Sequence, residues 1–76
     1  MRAFVLVKAV TGKERSMLES LQGIASLEEM HFLFGEYDYI LTLEVADTVT
    51  LSRLVSSRIR KIPGVAQTVT LLEAPV

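Results

Sequence analysis

Cysteine and asparagine are absent from this 76-residue chain, histidine occurs once, and glycine (4) and proline (2) are scarce. Without cysteine there is no disulfide, no thiolate metal site and no cysteine nucleophile. The glycines Gly12, Gly23, Gly35 and Gly64 stand singly, so no phosphate-cradling loop exists. Charge of one sign is also lacking: eight Lys and Arg against nine Asp and Glu give a net charge of -1. A phosphate-binding surface needs a basic stripe, and direct nucleic-acid binding is not expected. The longest apolar run near the start, Ala3 to Val7, ends at Lys8, too early for a signal-peptide core or a bilayer span. The expectation is an unprocessed cytoplasmic protein with no membrane contact.

What is present is apolar surface. Half the residues are hydrophobic and the mean hydropathy is +0.40. A chain of this length buries only roughly 60% of the surface its unfolded form exposes. One domain spanning residues 1-76 is therefore expected, with apolar surface left over for an oligomer.

Ala3 to Val10 is apolar on both alternating faces, as a central strand covered on two sides would be. Thr11-Gly-Lys-Glu14 has capping-box spacing, and the helix after it, about Gly12 to Gln22, carries Met17, Leu18 and Leu21 at helical intervals, with Gly23 at a candidate left-handed end. Leu27 to Phe34 predicts a second strand, with Met30, Phe32 and Phe34 opposed to Leu27, His31 and Leu33. Gly35-Glu36 then makes a tight hairpin, with Gly35 suited to positive φ, into a strand over Asp38 to Val45. Asp47 or Thr48 caps a second helix whose inward positions are Leu51, Leu54, Val55, Ile59 and Ile62, with Arg58, Arg60 and Lys61 at its solvated end. Pro63-Gly64 stops it. Val65 to Glu73 is the last strand, with Val65, Val69 and Leu71 opposed to Ala66, Thr68, Thr70 and Leu72.

Strand-helix-strand repeated twice is the split βαβ order of an α+β ferredoxin-like fold, βαββαβ. Right-handed crossovers put both helices on one face of a four-stranded antiparallel sheet. The other face, apolar yet uncovered, is expected to pair with a second subunit, as in a dimeric α/β barrel. Within that fold class a metal carrier would need paired cysteines, an acylphosphatase-like site an asparagine, and an RNA-recognition module exposed aromatics with basic flanks.

The segment Phe34-Gly35-Glu36-Tyr37-Asp38-Tyr39 puts two tyrosines around a carboxylate at a turn. Asp38 and free turn amides can hold a zwitterion, because a carboxylate matches an ammonium and amides match a ligand carboxylate; an Asx turn that only bonds local backbone fits the same residues. Gln67, Thr68 and Thr70 can supply a second wall, or serve simply as strand formers. His31 lacks a sequence companion that would orient it as a base. Glu28 and Glu29, adjacent in a strand, point to opposite faces.

The succession AFVLVKAVTGKE, FGEYDYILTLEV and RIRKIPGVAQTVTLLE, from Arg2 to Glu73, resembles the C-terminal effector domain of Lrp/AsnC-type regulators, also called the RAM domain. The resemblance implies a sheet-to-sheet homodimer assembling further, commonly to an octamer or similar ring, with an amino acid bound between dimers and no cofactor or metal. It implies ligand-binding roles for Gly35, Tyr37 and Asp38 in the turn and for Thr68, Thr70 and Gln67 on the last strand. Full-length family members begin with a helix-turn-helix domain, so the resemblance is to a stand-alone RAM domain that acts on transcription, if at all, through a full-length Lrp/AsnC-type partner. Two other readings remain open: a dimeric α/β-barrel enzyme, monooxygenase-like with His31 as base, and a ligand-free oligomerisation module.

Overall fold

Residues 1-75 are described by a computed structural model. Four strands, β1 (Arg2–Ala9), β2 (Leu27–Phe32), β3 (Tyr39–Glu44) and β4 (Val65–Leu72), alternate with the helices α1 (Glu14–Gln22) and α2 (Thr48–Ser57), and a short 3₁₀ turn over Ile59–Lys61 follows α2. The sheet order is β2-β3-β1-β4 with every pairing antiparallel. This is the ferredoxin-like α+β arrangement expected from the element order.

Period-two alternation determines which side chains meet the helices. Ala3, Val5 and Val7 of β1 and Leu41 and Leu43 of β3 are fully buried, together with Met17 and Leu21 of α1 and Ile59. Leu51 and Val55 of α2 complete the same cluster, one helical turn apart on one stripe. The alternate residues of the central strands, Phe4, Leu6 and Ile40, lie on the opposite face and are half-buried. The molecule measures 37 × 24 × 18 Å. Its shortest dimension accommodates one helical layer of about 10 Å on one sheet, so no second layer covers that opposite face.

Several local expectations are corrected. Two bulges change strand faces. Leu27 pairs with Leu43 while Glu29 pairs with Thr42, and the extra residue brings Leu27 to the same side as Met30, where both pack on the core. The outer face of β2 is consequently Glu29 and His31, polar rather than apolar. In the same way Lys8 pairs with Gln67 but Ala9 with Val65, so Val65 joins Thr68, Thr70 and Leu72 on the helix side. A bulge reverses alternation for every residue beyond it.

The helix termini also differ. Thr11 makes no cap; Glu14 reaches back instead to the Gly12 amide, which donates to both carboxylate oxygens at 2.9 and 3.0 Å. Gly23 has φ -79°, a right-handed value, and α1 ends without a left-handed residue. The Arg58 guanidinium donates to the Gly23 carbonyl at 3.0 Å, so this arginine, though exposed, closes the end of α1. The helix expected to run to Lys61 stops at Ser57, and the tighter turn after it aims Ile59 and Ile62 inward. At the other end Asp47 caps α2, accepting from the Thr50 amide at 2.7 Å.

Candidate functional site

The connection between β2 and β3 is a six-residue loop, Leu33 to Asp38, rather than a two-residue hairpin. Asp38 anchors it with all three of its hydrogen-bonding groups. Its amide donates to the Val7 carbonyl at 2.9 Å and its carbonyl accepts from the Leu33 amide at 2.9 Å. Its carboxylate accepts from the Ala9 amide at 2.7 Å, at the end of β1 where β3 no longer runs alongside. The aspartate is thus a backbone anchor, though to a strand distant in sequence rather than to a local Asx turn. Gly35, at φ +121°, takes the conformation that a side chain would strain. Next to it Phe34 is fully exposed.

The loop, the end of β1 and the first turn of α1 enclose a cleft of about 470 Å³, within the range of small-molecule sites. Its lining includes Lys8, Glu14, Gly35, Glu36, Asp38 and Tyr39. The Tyr39 ring is buried and stands edge-on to Phe32, with ring centres 5.1 Å apart. Burial raises the Tyr39 hydroxyl above its ordinary pKa, and the negative charges of Glu14 and Asp38 push it further in the same direction. Each effect disfavours a phenolate. The cleft therefore presents a neutral hydroxyl beside carboxylates.

The residues expected to form the site are divided within one subunit. Gly35 and Asp38 line the cleft. Tyr37 does not; its hydroxyl accepts from the Gln67 amide at 3.4 Å. Gln67 and Thr68 border a small recess next to Arg60. Thr70 lies on the helix side of β4, in a groove against Leu51 and Val55. Glu14 and Tyr39, which the motif reading used as a capping partner and a strand residue, belong to the cleft as well. The signal available for them was topological: Glu14 opens the helix after β1 and Tyr39 opens β3, and these two strands are neighbours.

His31 lies elsewhere, on the outer face of the edge strand β2. Its side chain is 64% exposed and stands 3.7 Å from Glu29. Among the described residues no group of three or more His, Cys, Asp or Glu is placed to hold a metal ion, and no helix is long and apolar enough to cross a membrane.

A sequence model of the Lrp/AsnC ligand binding domain matches residues 2–73. Among curated relatives, an uncharacterised HTH-type transcriptional regulator of Pyrococcus furiosus is 33% identical over 75 residues, covering 92% of this chain and 49% of that protein. The chain thus spans about half the length of the curated relatives it matches over most of its length. Among solved structures, a hypothetical protein from Pyrococcus horikoshii superimposes with a TM-score of 0.81 at 33% identity, covering 92% of this chain and 84% of the other. A transcriptional regulator of Neisseria meningitidis, solved as a complex with L-Met, shares the fold with a TM-score of 0.82 at 23% identity, over 99% of this chain and 51% of that one.

Proposed function

The chain belongs to the Lrp/AsnC ligand-binding domain family, and from that premise we propose that it is a non-enzymatic effector domain that binds an amino acid at the Gly35–Asp38 loop and works as an oligomer. The observation that carries this reading is the coincidence of the loop with the cleft: Gly35 and Asp38 both line it. An amino acid needs an anion for its ammonium and donors for its carboxylate. Asp38 offers the first, and Lys8 with the exposed loop amides offers the second. The Neisseria relative's complex with L-Met supports an amino acid as the class of effector.

Thr68 and Thr70 join this site only through a neighbouring copy, since within one subunit they face other recesses. That arrangement agrees with an effector held between subunits. The oligomer itself is favoured by the uncovered sheet face, where Phe4, Leu6, Ile40 and Val69 are only half-buried and Leu71 is 47% exposed. Its relatives are transcriptional regulators, and the response to effector is proposed to reach transcription through a full-length regulator of the same family.

The test is a thermal-shift screen of the purified protein against the twenty amino acids, with Asp38→Asn as control. Asparagine retains an acceptor for the Ala9 amide and removes the charge. A ligand at about a hundred times its dissociation constant stabilises the native state by roughly 2.7 kcal/mol, which moves the midpoint of a domain this small by several degrees. The expected result is a shift with one or a few amino acids that disappears in Asp38→Asn. No shift with any of them overturns the proposal, and an undiminished shift in Asp38→Asn overturns the site.

A further inference from the structure

The charge balance of the cleft narrows the class of effector, given the reading above that the cleft takes an amino acid. Three carboxylates, Glu14, Glu36 and Asp38, line it against one cation, Lys8. Among the described residues none of the three carboxylates is in a salt bridge; the pairs formed are Met1 with Glu44, Arg2 with Glu73 and His31 with Glu29. Glu14 is nevertheless held in place, since both of its oxygens accept from the Gly12 amide. Asp38 is fixed by the Ala9 amide. Two anchored anions thus share one cleft with no protein cation paired to either.

A second observation comes from Tyr39. The residue is only 8% exposed and lines the cleft, yet its hydroxyl has no hydrogen-bond partner among the described residues. Its ring is packed away while its oxygen still reaches solvent, since no fully buried side-chain oxygen or nitrogen among the described residues lacks a partner, so the hydroxyl is free to bond a ligand in the cleft. The hydroxyl is protonated at neutral pH, a state that burial and the charges of Glu14 and Asp38 favour further, and its oxygen can accept from an ammonium.

We infer that Glu14 and Tyr39 form a second cation-binding end of the cleft, and that the effector is a basic amino acid carrying a side-chain ammonium or guanidinium in addition to its α-ammonium. Asp38 receives the α-ammonium, Lys8 and the loop amides receive the carboxylate, and Glu14 with the Tyr39 hydroxyl receives the side-chain cation. A bare metal ion does not suit the same groups, which are spread along the cleft rather than gathered around one point. An apolar side chain would leave Glu14 desolvated and unpaired.

Titration calorimetry on the protein as purified tests this with L-lysine, L-ornithine and L-arginine against L-norleucine, which matches the lysine chain without its charge. The expected result is that a basic amino acid binds at least about tenfold tighter than norleucine, and that Glu14→Gln removes at least about tenfold of that affinity while norleucine binds no more weakly than before, since the variant no longer buries an unpaired charge against it. Tyr39→Phe, which retains the buried ring, moves basic ligands the same way by a smaller factor and serves if Glu14→Gln does not fold. Norleucine or another neutral amino acid binding as tightly as the basic ones overturns the inference and leaves the amino-acid reading standing. So does unchanged binding of the basic amino acid in both variants. Binding of no amino acid overturns both.

Discussion

Two glycines share a backbone problem and differ in their surroundings. Gly35 and Gly64 have φ of +121° and +103°, so an added Cβ strains either by about 1 to 3 kcal/mol. At Gly35 a Cβ meets open space, whereas at Gly64 it would lie 3.1 Å from the Lys13 carbonyl oxygen and 3.2 Å from the Met17 Cβ. The Lys13 carbonyl is itself engaged by the Met17 amide in the first turn of α1 and cannot yield freely. Gly64→Ala is expected to lower stability by about 1 kcal/mol or more beyond Gly35→Ala, read from urea midpoints at unchanged slope. Equal losses would mean that α1 shifts away at little cost. Gly35 was legible from its place between two apolar runs. The contact of Gly64 with α1 was not, because it joins residues about fifty positions apart.

At the level of elements, capping decides where α2 begins. The Asp47 carboxylate accepts from the Thr50 amide, and hydrogen bonding to Thr50 lowers its pKa below the ordinary aspartate value. A carboxyl depressed in the folded state contributes stability above its unfolded pKa, and that contribution disappears as pH falls through the folded value. Asn keeps an accepting oxygen but lacks the negative charge that a helix N-terminus favours, and it does not titrate. Wild type is therefore expected to exceed Asp47→Asn in stability at neutral pH, with a gap that closes on acidification below about pH 4. Thermal melts of both proteins across that range check this, and a constant gap would show that the cap does not titrate with folding. Asp47 was readable as a cap because it precedes a helical apolar stripe. Thr11 satisfied the same rule and failed, since Glu14 reached the Gly12 amide directly. Arg58 likewise read as a helix-end charge, yet it serves the other helix.

For the whole molecule the question is the uncovered sheet face. Leu6 pairs with Ile40 on one side and Val69 on the other, at the middle of that face and away from the core beneath it. Leu6→Arg is expected to weaken self-association by about a hundredfold or more, because an unpaired charge buried at an interface costs several kcal/mol. Sedimentation velocity should show a folded, smaller species; an assembly of unchanged size would mean that copies associate elsewhere. What the amino-acid order determined alone was the succession of elements, the two alternating faces of β1 and β3, the inward stripes of both helices, and the Gly35–Asp38 loop as a place of interest. Those follow from local periodicity and turn chemistry, which operate within a few residues. Only the tertiary structure decided the two bulges that moved Leu27 and Val65 to the core side, the binding of Asp38 to Ala9, and the gathering of Glu14 and Tyr39 at one cleft. Each depends on which strands become neighbours and in what register, and register is set by pairing across the sheet rather than by any single strand.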